Sequence, residues 1–189
     1  MKKTAITLAA LFLAFGAQAQ SSTMTQPHTY GLLSIGQGHL NADCSGVQAC
    51  DRNATGGKAV VGYAFGNGFS LEGGYTNFGK FRASDGAVGL SARPEAASLS
   101  GAFTANLTPD LGLVGRAGVA RVRTKLHADV GSLSGSDSES HTQPIVGLAL
   151  NYALTPMARV ELGVDATRAE VQGERANVRL VTIGARMAF

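Results

Sequence analysis

The 189-residue chain has no tryptophan, two cysteines and five prolines, and beyond residue 19 it has no apolar run near the roughly 20 residues that a membrane-spanning helix needs. That last absence rules out a helical membrane bundle for the mature chain. Cys44 and Cys50 lack the companions of a zinc site, because His39 is the only histidine near them and structural zinc wants four ligands. No metal and no cofactor is expected. Charge is also scarce, at 15% of residues, and no Lys/Arg-rich stripe with interleaved aromatics occurs, so nucleic acid is not an expected partner. Glycine pairs such as Gly36 and Gly38 lie in strand-like segments rather than strand-to-helix turns, which removes the phosphate-cradling reading.

What is present begins with an address. Lys2 and Lys3 precede the apolar run Ala5 to Phe15, and the run ends in Ala17-Gln18-Ala19, a small-x-small cleavage pattern. Residues 1–19 therefore read as a secretory signal peptide, followed by a short segment at 20–27 and one domain over 28–189. Removing Lys2 and Lys3 leaves 14 basic against 13 acidic residues, and the formal charge falls from +3 to +1. Secretion also places Cys44 and Cys50 where thiols are oxidised, so a disulfide is expected between them, ordering a loop.

A two-residue rhythm runs through the rest. Ala158, Val160, Leu162, Val164 and Ala166 share one strand face, and Arg159, Glu161, Asp165 and Thr167 share the other. Eight strands are predicted at about 28–39, 57–66, 69–80, 96–107, 111–125, 142–154, 157–168 and 177–189. Short connections (Asn67-Gly68, Thr108-Pro109-Asp110, Thr155-Pro156) alternate with long ones at about 40–56, 81–95, 126–141 and 169–176. Tight turns at one end and long loops at the other fit an eight-stranded, antiparallel, up-and-down transmembrane β-barrel of an outer membrane. Periodicity alone leaves a soluble lipocalin-like barrel open, with the apolar face inward. Loop asymmetry, the secretion signal and the apolar final strand favour the membrane.

Leu33-Ser34-Ile35-Gly36-Gln37-Gly38, the Ala42–Asp51 loop, Val61-Gly62-Tyr63, Leu71–Gly79, Asn151–Pro156 and the terminal Phe189 come in an order and spacing that resembles the small outer-membrane β-barrels related to the transmembrane domain of outer membrane protein A. The resemblance implies that Phe189 helps the barrel-assembly machinery recognise the last strand. It also implies a salt-bridge gate involving positions that match Glu72 and Arg159. The gate's other two partners align with Ala102 and Asn151, which departs from the pattern.

If the charged face is inward, the lumen receives Lys58, Glu72, Arg116, Arg159, Glu161, Asp165 and Arg186. An eight-stranded barrel is just filled by its own side chains, so these charges are expected to pair and plug the tube. Glu72, Arg159, Glu161 and Arg186 lie at one level, counted from the short turns. The only catalytic trio in sight, within Ser138-Glu139-Ser140-His141, sits along one segment, where neighbours seldom form a relay. The expected protein is a non-enzymatic structural or surface-interaction barrel, with outer-membrane lipids around it and a host or cell-surface ligand at its loops. A low-conductance porin-like channel is the first alternative and a lipid A modifying enzyme the second.

Overall fold

The computed structural model describes residues 26–41, 49–85, 88–130, 133–171 and 174–189. The expected leader at 1–19, most of the 20–27 segment and Cys44 lie outside these, and so does the expected Cys44–Cys50 bond. Among the described residues the strands are β1 (His28–Asn41), β2 (Ala49–Asp51), β3 (Asn53–Ala64), β4 (Phe69–Asn77), β5 (Phe81–Asp85), β6 (Val88–Asn106), β7 (Leu111–Val130), β8 (Leu133–Ala153), β9 (Ala158–Val171) and β10 (Glu174–Ala188).

Eight of them close a barrel. In the order β1, β3, β4, β6, β7, β8, β9, β10 each pairs antiparallel with the next, and β10 returns to β1 in a register running from Tyr30 opposite Ala188 to Asn41 opposite Asn177. Closure leaves no unpaired edge, which a lipid-immersed sheet requires. The short β2 and β5 pair with each other, and β5 also pairs with the upper part of β6. Phe189 finishes the seam: its N–H donates to Thr29 O at 3.0 Å, and Thr29 Oγ1 donates to Phe189 O at 2.9 Å.

The three short turns are built alike. Asn67 Oδ1 accepts from Phe69 N, Thr108 Oγ1 from Leu111 N, and Thr155 Oγ1 from Ala158 N. Each polar side chain thus replaces a missing ladder bond. Tyr63, Phe65, Phe69, Phe103, Tyr152 and Phe189 stand exposed at this end and form an aromatic girdle. The Phe69 and Phe103 rings lie 4.8 Å apart, tilted by 52°, and Tyr63 meets Phe65 edge-on at 5.3 Å.

The two faces exchange polarity part-way up the wall. On β7 the outward residues are Leu113, Gly115, Ala117 and Val119, and the next ones are Arg121, Arg123, Lys125 and His127. The stretch Leu111–Val119, whose outward face is apolar, is nine residues, the length of a tilted strand across a bilayer. β10 repeats the pattern, with Val181, Ile183 and Met187 exposed below Arg179. Above the boundary the wall stands in water and its outer face turns polar. This is why 88–95 and 126–141, read as loops from their serines, glycines and charges, are largely strand: a polar outer face there is what a protruding sheet should show.

Inside, above that boundary, the lumen is apolar. Phe78, Phe81, Ala96, Ala120, Val122, Ile145, Ala169, Val178 and Leu180 form one buried cluster. Phe78, in the connection between β4 and β5, and Phe81, the first residue of β5, enter where the chain dips into the barrel mouth. Gly79 turns it at φ 100°, with its N–H on Asn77 Oδ1, and Phe78 N donates to Pro94 O. Gly38 and Gly56 make the space, since a Cβ on either would collide with the backbone of Asn77 and Phe78.

Candidate functional site

Below the phenylalanine stopper lies the charge network. Alternation sends Lys58 on β3, Glu72 on β4, Arg116 on β7, Glu161 and Asp165 on β9 and Arg186 on β10 inward, and all six are buried. Arg116 is the hub. Its Nε donates to Glu72 Oε2 at 3.0 Å and its Nη2 to Glu161 Oε1 at 2.9 Å, while its Nη1 lies 3.6 Å from Asp165 Oδ1. Lys58 Nζ bonds Asp165 and lies 4.0 Å from Glu161. Arg186 Nη2 sits 2.8 Å from Glu161 Oε2 and 3.5 Å from Glu72 Oε1, and its guanidinium covers the Tyr30 ring at 4.3 Å. The Tyr30 hydroxyl donates to Glu72 Oε1 at 2.7 Å, and Ser70 Oγ lies 3.1 Å from it. Three cations and three carboxylates therefore balance in the middle of the barrel, the arrangement in which buried charge is tolerable.

Of the seven residues that the sequence sent to the lumen, these six meet. Arg159 does not join them. Its Nη1 donates to Asn151 Oδ1 at 3.1 Å, and no carboxylate among the described residues lies within ion-pair distance. Glu72, the residue that the resemblance linked to Arg159, is held by Arg116 and Arg186 instead. Register explains the difference. Arg159 is directly opposite Arg186 on the neighbouring strand and sits nearer the short turns, while Arg116 crosses the barrel at the level of Glu72 and Glu161.

Tyr30 and the glycines around it were missed from sequence. Gly62 faces the Tyr30 ring and Gly147 faces Arg116 and Asp165, each at a distance where a Cβ would clash. Inward glycines on strands with bulky neighbours are the signal that could have found them. Gly147→Leu is expected to lower stability by about 1–3 kcal/mol through overpacking, read by urea unfolding in lipid vesicles.

Little open space remains. A cavity of about 20 Å³ lies between Lys58, Glu72, Arg116 and Asp165, room for about one water. At the short-turn mouth a second cavity, about 60 Å³, is lined by His28, Tyr30, Ser70, Thr104, Arg159 and Arg186. The Ser138–His141 residues do not converge into a relay, because alternation puts exposed Ser140 and half-buried His141 on opposite faces. Ser138 accepts from Arg123 Nη2, and His141 Nε2 lies 3.7 Å from Glu139 Oε2. Among the described residues no group of three or more His, Cys, Asp or Glu could hold a metal.

A closed eight-stranded barrel with an apolar belt, an aromatic girdle and balanced charge inside defines a small integral protein of a bacterial outer membrane. The chain belongs to the OmpA-like transmembrane domain family, whose pattern matches residues 26–189. Solved structures that share the fold include three outer-membrane proteins. Ail, the attachment invasion locus protein of Yersinia pestis, is 17% identical with a TM-score of 0.58, covering 86% of this chain and 99% of Ail. Neisserial surface protein A is 14% identical (TM-score 0.60; 85% and 97% covered), and OprG of Pseudomonas aeruginosa 15% (TM-score 0.58; 89% and 99%). No curated protein matches the chain.

Proposed function

We propose that this protein is a non-enzymatic surface-interaction barrel whose protruding β6–β8 sheet binds polyanionic ligands outside the cell, while its lumen stays shut. The observation that carries this reading is the exposed basic face above the apolar belt: Arg121, Arg123 and Lys125 on β7, with Arg93 directly opposite Lys125 on β6. Among the described residues only Lys125 of these is in an ion pair, 2.9 Å from Glu95 Oε2, while Arg123 Nη2 donates to Ser138 Oγ. The sheet is regular at this height, so the charges are displayed on a stiff platform. Ail has been solved with the heparin analogue sucrose octasulfate, and ligands of that chemistry are proposed here. Delivery by a cleaved leader at 1–19, a Cys44–Cys50 disulfide in the first loop and recognition of Phe189 during barrel assembly complete the proposal.

The test is retention of bacteria displaying the barrel on immobilised heparin. Wild type should be retained and released by salt, and the triple variant Arg93→Glu, Arg121→Glu, Arg123→Glu should lose retention while still migrating as a heat-modifiable folded band. Equal retention of both would overturn the binding reading. In planar bilayers no steady conductance is expected; conductance that changes in Glu72→Ala would establish the channel alternative instead.

A further inference from the structure

We propose a binding site for a small oxyanion, of the phosphate or sulfate class, inside the short-turn mouth of the barrel. Arg159 on β9 and Arg186 on β10 are direct cross-strand partners whose side chains both enter the lumen. Like charges so placed repel. Arg186 is balanced by Glu161 and Glu72, but Arg159 is a fourth cation beside three cations and three carboxylates that already cancel. Asp110, the acidic group whose field Arg159 feels, sits exposed in the neighbouring turn and makes no ion pair with it among the described residues. The two guanidiniums line the same cavity of about 60 Å³, several times the ~10–15 Å³ that one water needs.

The donor set around that cavity suits an oxyanion. Arg186 is more than nine-tenths buried, yet its Nε has no hydrogen-bond partner among the described residues. Thr104 supplies a hydroxyl, Tyr30 and Ser70 form a second polar wall, and His28 stands at the rim. Guanidiniums are matched to oxyanions by their fork of N–H donors. The wall separates the cavity from lipid, so a free ion arriving through the mouth, not a lipid headgroup, is the occupant. An ion bound there would relieve the Arg159–Arg186 repulsion and tie β9 to β10.

The experiment uses the full chain folded in detergent micelles and inorganic phosphate as the probe, with chloride at matched ionic strength as the control. Binding is read by calorimetric titration and by the rise in unfolding midpoint that a ligand of the native state must produce. Saturable binding to the wild type is expected, weakened about tenfold or more in Arg159→Gln, together with loss of the phosphate-dependent midpoint shift. Arg52→Gln, which changes an exposed arginine remote from the mouth, should bind as wild type. The proposal fails if phosphate does no more than chloride, or if Arg159→Gln binds phosphate as well as wild type does. A heat-modifiable band in every variant shows that lost binding is not lost folding.

Discussion

Arg116→Ala is expected to destabilise the barrel by about 3–5 kcal/mol, the scale on which removing one partner from a buried ion cluster leaves charge uncompensated. The geometry gives this residue the largest effect in the lumen. Arg116 contacts Glu72, Glu161 and Asp165 from one planar group, so its loss leaves three buried carboxylates to Lys58 and Arg186. Arg159→Ala supplies the contrast. Arg159 is only half-buried, touches Asn151 rather than a carboxylate, and stands against Arg186, so its removal in phosphate-free buffer should cost less than about 1 kcal/mol or even stabilise. Urea unfolding of both variants in vesicles of one lipid composition checks the pair. Equal losses would mean that the lumen charges act as a diffuse set and not through the Arg116 hub.

The contrast also marks what could be read in the residues beforehand. That Glu161 and Asp165 turn inward while Leu162 and Val164 turn outward follows from a period of two and from which face hydrocarbon tolerates. Which cation meets which carboxylate does not follow, because strand registers decide it and sequence patterns do not set them closely enough. Arg116 was placed in the lumen but not at its centre, and Arg159 was joined to Glu72 by family likeness when a β7 arginine occupies that place. The upper lumen was harder still. Phe78 and Phe81 belong to a non-periodic segment, and the glycines that admit it, Gly38 and Gly56, lie far from it along the chain. Val178 and Leu180 share the inward face of the last strand with Thr182 and Arg186, so the alternation does not set them apart as part of an apolar stopper, and on that strand the exposed Arg179 shows where the membrane ends.

Leu162→Arg should cost about 2–4 kcal/mol, the range for arginine on the lipid face of a barrel near mid-bilayer. Leu162 is exposed, pairs with Leu150 on β8 and Ile183 on β10, and lies midway along the apolar outward row Ala158 to Ala166 of β9. A guanidinium there must desolvate in hydrocarbon or drag water and headgroups inward. The same substitution on a water-washed surface would cost almost nothing, so the variant tests the sidedness of the fold. Arg121→Leu tests it from the other direction: two residues above Val119 the outer face is wet, and exchanging that arginine for leucine should change stability by less than about 0.5 kcal/mol. Unfolding in vesicles measures both. A near-zero cost for Leu162→Arg, with a folded protein that stays in solution without detergent, would place the apolar belt in water, and the membrane boundary between Val119 and Arg121 would lose its physical basis.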